Sequence, residues 1–303
     1  MLFLFEFQGI TKFFGTHKAL DNVTFRVNKG EIVGYVGLNG AGKTTTIRIG
    51  VGVLPPTSGD VIIDGFSIIK DKREASRRIG WVPEKPIFEH DFKAIDYFVY
   101  LAGFYGLSMS EARSLGRRLL DEVGLGDATD KKLKEYSYGM NKRFALAVSM
   151  INNPENYMFD EVLNGLDPSG IAFFRNLTLK LKHEGCSILF SSHILSEVES
   201  IADRVVFIHE GRVIADMKID EIRSRAKPSL KITIHPLDNR VIELVKEFGE
   251  VSIEKNQLII RNVTESSEIV EKLVLNGYKV LEVSKMERDL EQVFFRLIKG
   301  ELQ

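Results

Sequence analysis

One short run concentrates groups able to hold a phosphate: Gly37-Leu38-Asn39-Gly40-Ala41-Gly42-Lys43-Thr44-Thr45. It follows an apolar stretch, Ile32 to Val36, and precedes a helix-compatible segment, Thr45 to Ile49. Glycines at this spacing let successive backbone N–H groups converge on phosphate oxygens, and a helix starting there adds the positive end of its dipole. Lys43 is then expected to reach the β- and γ-phosphates, and the Thr44 hydroxyl to ligate Mg²⁺. A glycine-rich turn without a ligand would need only one or two glycines and no lysine followed by threonine. The chemistry on offer is therefore the binding of a nucleoside triphosphate. Which reaction follows must be read elsewhere in the chain.

Downstream, Asn156-Tyr157-Met158-Phe159 ends in the acidic pair Asp160-Glu161, and Ser191-Ser192-His193 closes another apolar run. Tyr136-Ser137-Tyr138-Gly139-Met140, followed by Lys142-Arg143, precedes the first of these, and Gly165-Leu166-Asp167-Pro168 lies between the two. Glu84 stands earlier, in Val82-Pro83-Glu84. Together and in this order these motifs resemble the ATP-binding-cassette (ABC) family of transport ATPases, whose Walker A, Q-loop, signature, Walker B, D-loop and H-loop follow one another in the same way. The resemblance covers roughly residues 4–225. GTP-binding switch proteins share the first motif, but no Asn-Lys-x-Asp base-reading motif occurs in the chain.

Hydrolysis of a β–γ phosphate bond needs charge neutralisation and an oriented water, because the loose transition state leaves little covalent work to the protein. Asp160 is expected to hold Mg²⁺, and Glu161 to polarise the attacking water. The resemblance implies that His193 contacts the γ-phosphate and orients that water. It also implies an aromatic against the adenine, a position that Phe14 matches best, with Phe13 the alternative. Glu84 falls where most members carry glutamine; a carboxylate can also ligate Mg²⁺, and a solvated loop acid is the other reading. In the signature segment Ser137 and Gly139 remain, while Tyr138 and Met140 replace the usual glycine and glutamine. Family resemblance assigns Ser137 and Gly139 to nucleotide held by an opposite subunit and Asp167 to the D-loop facing the partner's Walker A. A second ATPase subunit, the same or different, is thus implied, with ATP and Mg²⁺ bridging the two.

The bulk properties agree with this. The 303 residues carry a formal charge of −1, which leaves no electrostatic footprint for nucleic acid. The length suits two domains. A lone Cys186, within Cys-Ser-Ile-Leu-Phe, excludes an internal disulfide and reads as a buried strand residue. Met1 to Phe7 lacks a basic leading region and is interrupted by Glu6, so it reads as an edge strand instead of a targeting segment. No apolar stretch approaches the ~18 residues that span a bilayer. Transmembrane permease subunits would then be separate chains, and this one is expected in the cytoplasm, peripheral on the cytoplasmic face of the membrane. A soluble cassette acting on nucleic acid or ribosomes, or a non-hydrolysing ATP-binding module, are the rival functions.

The fold class expected is α/β. Residues 1–225 form a P-loop nucleoside-triphosphatase core of the ABC type, with an antiparallel β subdomain near residues 3–36 and a helical subdomain at about 86–152. Ser110 is a possible N-cap and Gly124 a stop for a helix carrying Ala112, Leu115, Leu119 and Val123. The aromatics Phe88, Phe92, Tyr97, Phe98, Tyr100, Phe104 and Tyr105 exceed what one helix face buries; they divide between core and a groove for a membrane partner's helix. A polar linker, Arg223 to Ser229 with Pro228, leads into residues 230–303. There the alternation of strands and amphipathic helices fits a small α+β, ferredoxin-like domain with β-α-β-β-α-β order. It resembles the accessory domain of drug and antibiotic export ATPases, including the Asp-Leu-Glu-x-Val-Phe motif at Asp289 to Phe294.

Overall fold

The computed structural model describes residues 5–225, 229–254, 256–261, 263, 266–286 and 290–299. Pro228 of the expected linker, Met1–Leu4 of the first expected strand and Asp289 of the closing motif lie outside the described residues. The chain divides into two compact units, Met1–Met217 and Lys218–Gln303.

In chain order the first unit contains β1 (Phe5–Phe14), β2 (His17–Val27), β3 (Ile32–Val36), α1 (Lys43–Gly50), β4 (Ser58–Ile63), β5 (Phe66–Ser67), α2 (Lys72–Ser76) and β6 (Ile79–Val82). Then follow α3 (Ala94–Gly103), α4 (Met109–Glu122), α5 (Tyr138–Ser149), β7 (Asn156–Phe159), α6 (Pro168–His183), β8 (Ser187–Ser192), α7 (Leu195–Ile201), β9 (Arg204–His209) and β10 (Arg212–Lys218). One sheet has the order β2-β1-β4-β5; a larger one runs β10-β9-β3-β8-β7-β6. In the larger sheet β9, β3, β8, β7 and β6 are mutually parallel. Every residue of β3, β7 and β8 is buried, as parallel strands covered on both faces require.

The first strand corrects the expectation of an edge. β1 pairs antiparallel with β2 on one side and with β4 on the other. Its Phe5, Phe7 and Ile10 are buried, so this apolar run needed covering that an edge position does not supply. Phe7 stacks on Phe25 at 4.4 Å, and Phe25 on Tyr35 of β3 at 5.1 Å, which joins the antiparallel sheet to the parallel one. Helix α1 lies in the same core: a Cβ on Gly50 would fall 2.7 Å from Met158 Sδ and 2.9 Å from Phe7 Cζ.

In the helical part, the N-cap of α4 falls two residues before the candidate at Ser110. Ser108 is the N-cap and forms a capping box with Glu111, whose carboxylate accepts from Ser108 N–H at 2.9 Å. The Ser-x-x-Glu spacing explains the choice, because Ser110 has no glutamate three residues on to answer it. Gly124, at φ 72°, follows the helix as its left-handed stop. The aromatics divide: Phe98 is fully buried and Phe88 meets Phe144 edge-on at 4.9 Å, whereas Phe92, Tyr100, Phe104 and Tyr105 are exposed.

The second unit holds α8 (Ile219–Arg225), β11 (Ser229–His235), α9 (Arg240–Val245), β12 (Glu250–Glu254), β13 (Gln257–Arg261), α10 (Ser267–Leu275), β14 (Lys279–Met286) and α11 (Leu290–Ile298). Its sheet is antiparallel with the order β12-β13-β11-β14, and α9 and α10 connect β11 to β12 and β13 to β14. Leu230, Ile232, Val241, Val245, Leu258, Ile260, Ile269 and Leu273 form a core of its own.

At the start of β9, the buried Arg204 ties several elements of the first unit together. Its guanidinium donates to Glu31 at 2.7 Å, to the Arg26 carbonyl at 2.6 Å and to Asp216 at 2.5 Å. Burial alone would raise the Glu31 carboxyl, but the Arg204 hydrogen bond and the Asn28 N–H outweigh it and hold the group below the usual carboxylate range. Arg204→Ala strands these acceptors, and removing one member of a buried pair costs about 3 kcal/mol or more. The expected outcome is a clear fall in the thermal midpoint of the first unit, read by circular dichroism; an unchanged midpoint would show the network to be idle.

Candidate functional site

The parallel register decides where the chemistry gathers. Val36 pairs with Ser192, Phe159 with Phe190 and Val82 with Phe159. The residues just past these strand ends, Gly37, Asp160, His193 and Glu84, therefore emerge on one rim of the sheet. That is where open α/β sheets bind ligands.

The loop from Gly37 to Gly42 returns the chain from β3 into α1. Gly40 and Gly42 have φ of 81° and 110°, which side chains disfavour. A Cβ at Gly42 would also come within 2.6 Å of Leu20 Cδ2, and one at Gly37 within 2.4 Å of the Ile208 carbonyl. The glycines are thus required both by conformation and by close packing. Lys43, 5% exposed, donates from Nζ to the carbonyls of Gly37 at 2.7 Å and Leu38 at 3.2 Å. The same ammonium lies 3.1 Å from Glu161 Oε1. Asn39 and Thr45 line the same cavity, and Ala41 is buried beneath the loop.

Asp160 and Glu161 are both buried. Thr44 Oγ1 donates to Asp160 Oδ1 at 3.0 Å, and Ser191 Oγ donates to the same oxygen at 2.9 Å. Burial pushes the Asp160 carboxyl up, the hydrogen bonds from Ser191 and Thr44 oppose this, and the neighbouring Glu161 and Glu84 charges add to the rise. Glu161 N–H donates to Ser191 Oγ at 2.8 Å, and Glu161 Oε2 lies 3.0 Å from His193 Nδ1. Glu161 also has a positive φ of 45°, a left-handed conformation that costs a non-glycine residue about 1–3 kcal/mol.

These groups open onto a cavity of about 510 Å³ lined by Phe14, His17, Ala19, Lys43, Thr44, Glu84, Glu161, Asn164 and His193, among others. Phe14, not Phe13, is the aromatic on its wall. Other expected residues lie off that wall. Ser137 caps α5, its Oγ accepting from Met140 N–H at 3.2 Å, with Gly139 in the first turn. Asp167 caps α6, accepting from Gly170 N–H at 2.9 Å, and it does not line the cavity.

Several residues at the site were not assigned from sequence. Ser191 was visible beside His193, but its bridging of Asp160 and Glu161 depends on the strand register. His17 and Ala19 reach the cavity from the antiparallel sheet, and Asn164 from the turn that follows Glu161. Lys142, in Lys142-Arg143, carried no sign that it is buried.

The donor set fits a hard cation. Thr44 Oγ1 and a carboxylate oxygen of Asp160 sit together beside the phosphate loop. Mg²⁺ takes only one or two protein oxygens, together with waters and substrate phosphates. Among the described residues no cluster of three or more His, Cys, Asp or Glu offers an alternative metal site.

A two-sheet α/β core with a glycine phosphate loop facing an Asp-Glu pair defines a nucleoside-triphosphate-hydrolysing cassette. The ABC transporter family model matches residues 20–164. A bacitracin transport ATP-binding protein, BcrA, of Bacillus licheniformis is 34% identical over 296 residues, covering 96% of each chain. A lantibiotic transport ATP-binding protein, SrtF, of Streptococcus pyogenes is 38% identical over 72% of this chain and 92% of its own. A solved ATP-binding subunit of an ABC transporter superposes with a TM-score of 0.67 at 32% identity, covering 73% of this chain and 92% of that one. The chain belongs to the ABC transporter family, as an ATP-binding protein with ATPase activity.

Lys142 sits in α5 beneath this site, 1% exposed, and burial lowers its ammonium to about 8 against the attraction of Glu84, Asp160 and Glu161. Between about 8 and the ordinary lysine value of 10.5, the unfolded chain holds a proton that the folded chain has released. Stability from this group therefore rises with pH across that window, and below about 8 the full cost of the buried charge is present. Lys142→Met deletes this dependence. The difference in thermal midpoint between variant and wild type is expected to move in the wild type's favour from pH 8 to pH 10. A constant difference would contradict the lowered value.

Proposed function

We propose that this chain is the cytosolic ATP-hydrolysing subunit of a membrane exporter, working as one of two cassettes that close on ATP and drive separate transmembrane chains. The observation that carries the ATPase cycle is the meeting of Lys43, Thr44, Asp160, Glu161 and His193 on one rim. Lys43 and the loop N–H groups would bind the β- and γ-phosphates. Thr44 and Asp160, with Glu84 on the same wall, would hold Mg²⁺, which supplies neutralising charge to the phosphates when bound. Glu161 would take the proton of the attacking water, and His193, 3.0 Å from its carboxylate, would fix the water's orientation.

Dimer formation is supported by the placement of Ser137 and Gly139. They stand at a helix N-terminus, suited to an anion, yet outside the wall of their own chain's cavity. The transport reading is supported by the bacitracin and lantibiotic relatives. The exposed apolar set Ile87, Phe92, Tyr100 and Phe104 supports a partner docked on the helical part. Among the described residues no helix is long and apolar enough to cross a membrane. Residues 230–303 would be an accessory domain, since none of the groups assigned to ATP chemistry lies there.

Glu161→Gln keeps the side-chain shape but loses the basic carboxylate. The expected outcome is retained ATP binding, turnover lowered at least 100-fold, and a long-lived dimer in Mg-ATP on gel filtration. Phosphate release at the wild-type rate would refute the role of Glu161; a chain that stays monomeric would refute ATP-driven pairing.

A further inference from the structure

Both ends of the Glu161 peptide framework are held. Its N–H donates to Ser191 Oγ at 2.8 Å, and its carbonyl accepts from Lys142 Nζ at 2.9 Å. The lysine is committed to this contact: it is 1% exposed, and the Tyr138 ring lies over its ammonium at 5.5 Å. Tyr138 is in turn wedged against the turn after β7, where a Cβ on Gly165 would fall 2.7 Å from the ring. Its hydroxyl lies 3.5 Å from the Glu84 carbonyl. A buried ammonium needs acceptors, and a left-handed glutamate needs surroundings that impose its conformation. The Lys142 bond answers the first need, and it shares the second with Asn164 N–H, which donates to the same carbonyl at 3.2 Å.

We infer that Lys142 is a positioning residue for the ATPase reaction, holding the Glu161 main chain in the left-handed conformation that presents the carboxylate to Lys43 and His193. Lys142 reaches Glu161 from α5, the helix that begins with Ser137 and Gly139. On the dimer reading proposed above, on which this consequence rests, the element that meets the partner's nucleotide also sets the general base of its own subunit. Occupancy of one site would then reach the chemistry of the other through a single helix turn. Tyr138, which replaces the family's usual glycine, braces that turn against the Glu84 and Gly165 loops.

The test uses the full chain, with Lys142→Met and Lys142→Gln compared with wild type in Mg-ATP turnover, equilibrium ATP binding and thermal melting at pH 7. Methionine keeps the apolar stem and removes the donor; glutamine keeps an N–H donor on a shorter arm. Lys142→Met is expected to lower kcat 10- to 100-fold, with KM and ATP binding within twofold and no fall in midpoint. Lys142→Gln is expected to recover part of the lost kcat. Wild-type turnover in Lys142→Met overturns the inference. So does a loss of kcat that tracks lost binding and a lowered midpoint, which would mark packing alone, or equal turnover in the two variants. If Lys142→Met does not fold, Lys142→Gln decides: kcat lowered at constant KM supports positioning, whereas wild-type kcat or a joint change overturns it. Coupling between sites has its own readout. Turnover is expected to be cooperative in ATP for wild type and non-cooperative for the lysine variant, and a non-cooperative wild type or a cooperative variant overturns it. A Glu161→Gln chain that fails to dimerise sinks the dimer reading alone, because the kcat-only loss in Lys142→Met does not depend on it.

Discussion

The parallel pairing of β3, β8 and β7 is the constraint on which the site depends. Val36 lies beside Ser192, and Phe159 beside Phe190, so three loops distant in sequence leave the sheet side by side. Each then supplies one part of the chemistry: a phosphate cradle, a carboxylate pair and a histidine. The burial of all three strands turns this alignment into a rigid fact of the core, since slipping the register would force Tyr35, Met158 or Leu189, each fully buried, into close-packed space shaped for other side chains. The Phe7–Phe25–Tyr35 stack anchors the antiparallel sheet to the same core. It thereby carries Phe14 and His17 to the cavity's far wall.

Charges within the site answer one another at short range. Lys43, Glu161 and His193 form a chain of contacts at 3.1 Å and 3.0 Å, while Asp160 takes two hydroxyl donors. Two hydroxyl donors on Asp160, and the Lys43 ammonium and His193 ring beside Glu161, are what permit two adjacent carboxylates to be buried together, because an unpaired buried charge is prohibitively costly. Lys142 belongs to this economy from below. Its ammonium is attracted by Glu84, Asp160 and Glu161 without lining the cavity.

The departures from the family's signature acquire a physical meaning in this arrangement. Where a glycine would leave space beside the turn after β7, Tyr138 fills it and covers Lys142. The replacement thus adds contacts between α5 and its neighbouring loops. Asp167 meets two requirements of α6 at once, capping its N-terminus and preceding Pro168 in the first turn, where a missing N–H is harmless.

Much was legible in the sequence because it is local. The phosphate loop needs glycines at fixed offsets before a lysine; the helix starts carry serine or aspartate; buried parallel strands are unbroken apolar runs. Their order along the chain was enough to indicate the family, and the strand-helix alternation of residues 230–303 reads directly from periodicity. The position of β1 was not legible, since apolar residues on a strand do not say how many neighbours cover them. The cap of α4 fell to Ser108 through a reciprocal glutamate that the nearer serine lacked. Ser191 and Lys142 acquire their places only when segments far apart in sequence are brought together. Residue type and spacing determined which reaction this protein could run; distance across the sheet decided which side chains hold its glutamate in place, because hydrogen bonds are set by three-dimensional proximity that a linear order does not encode.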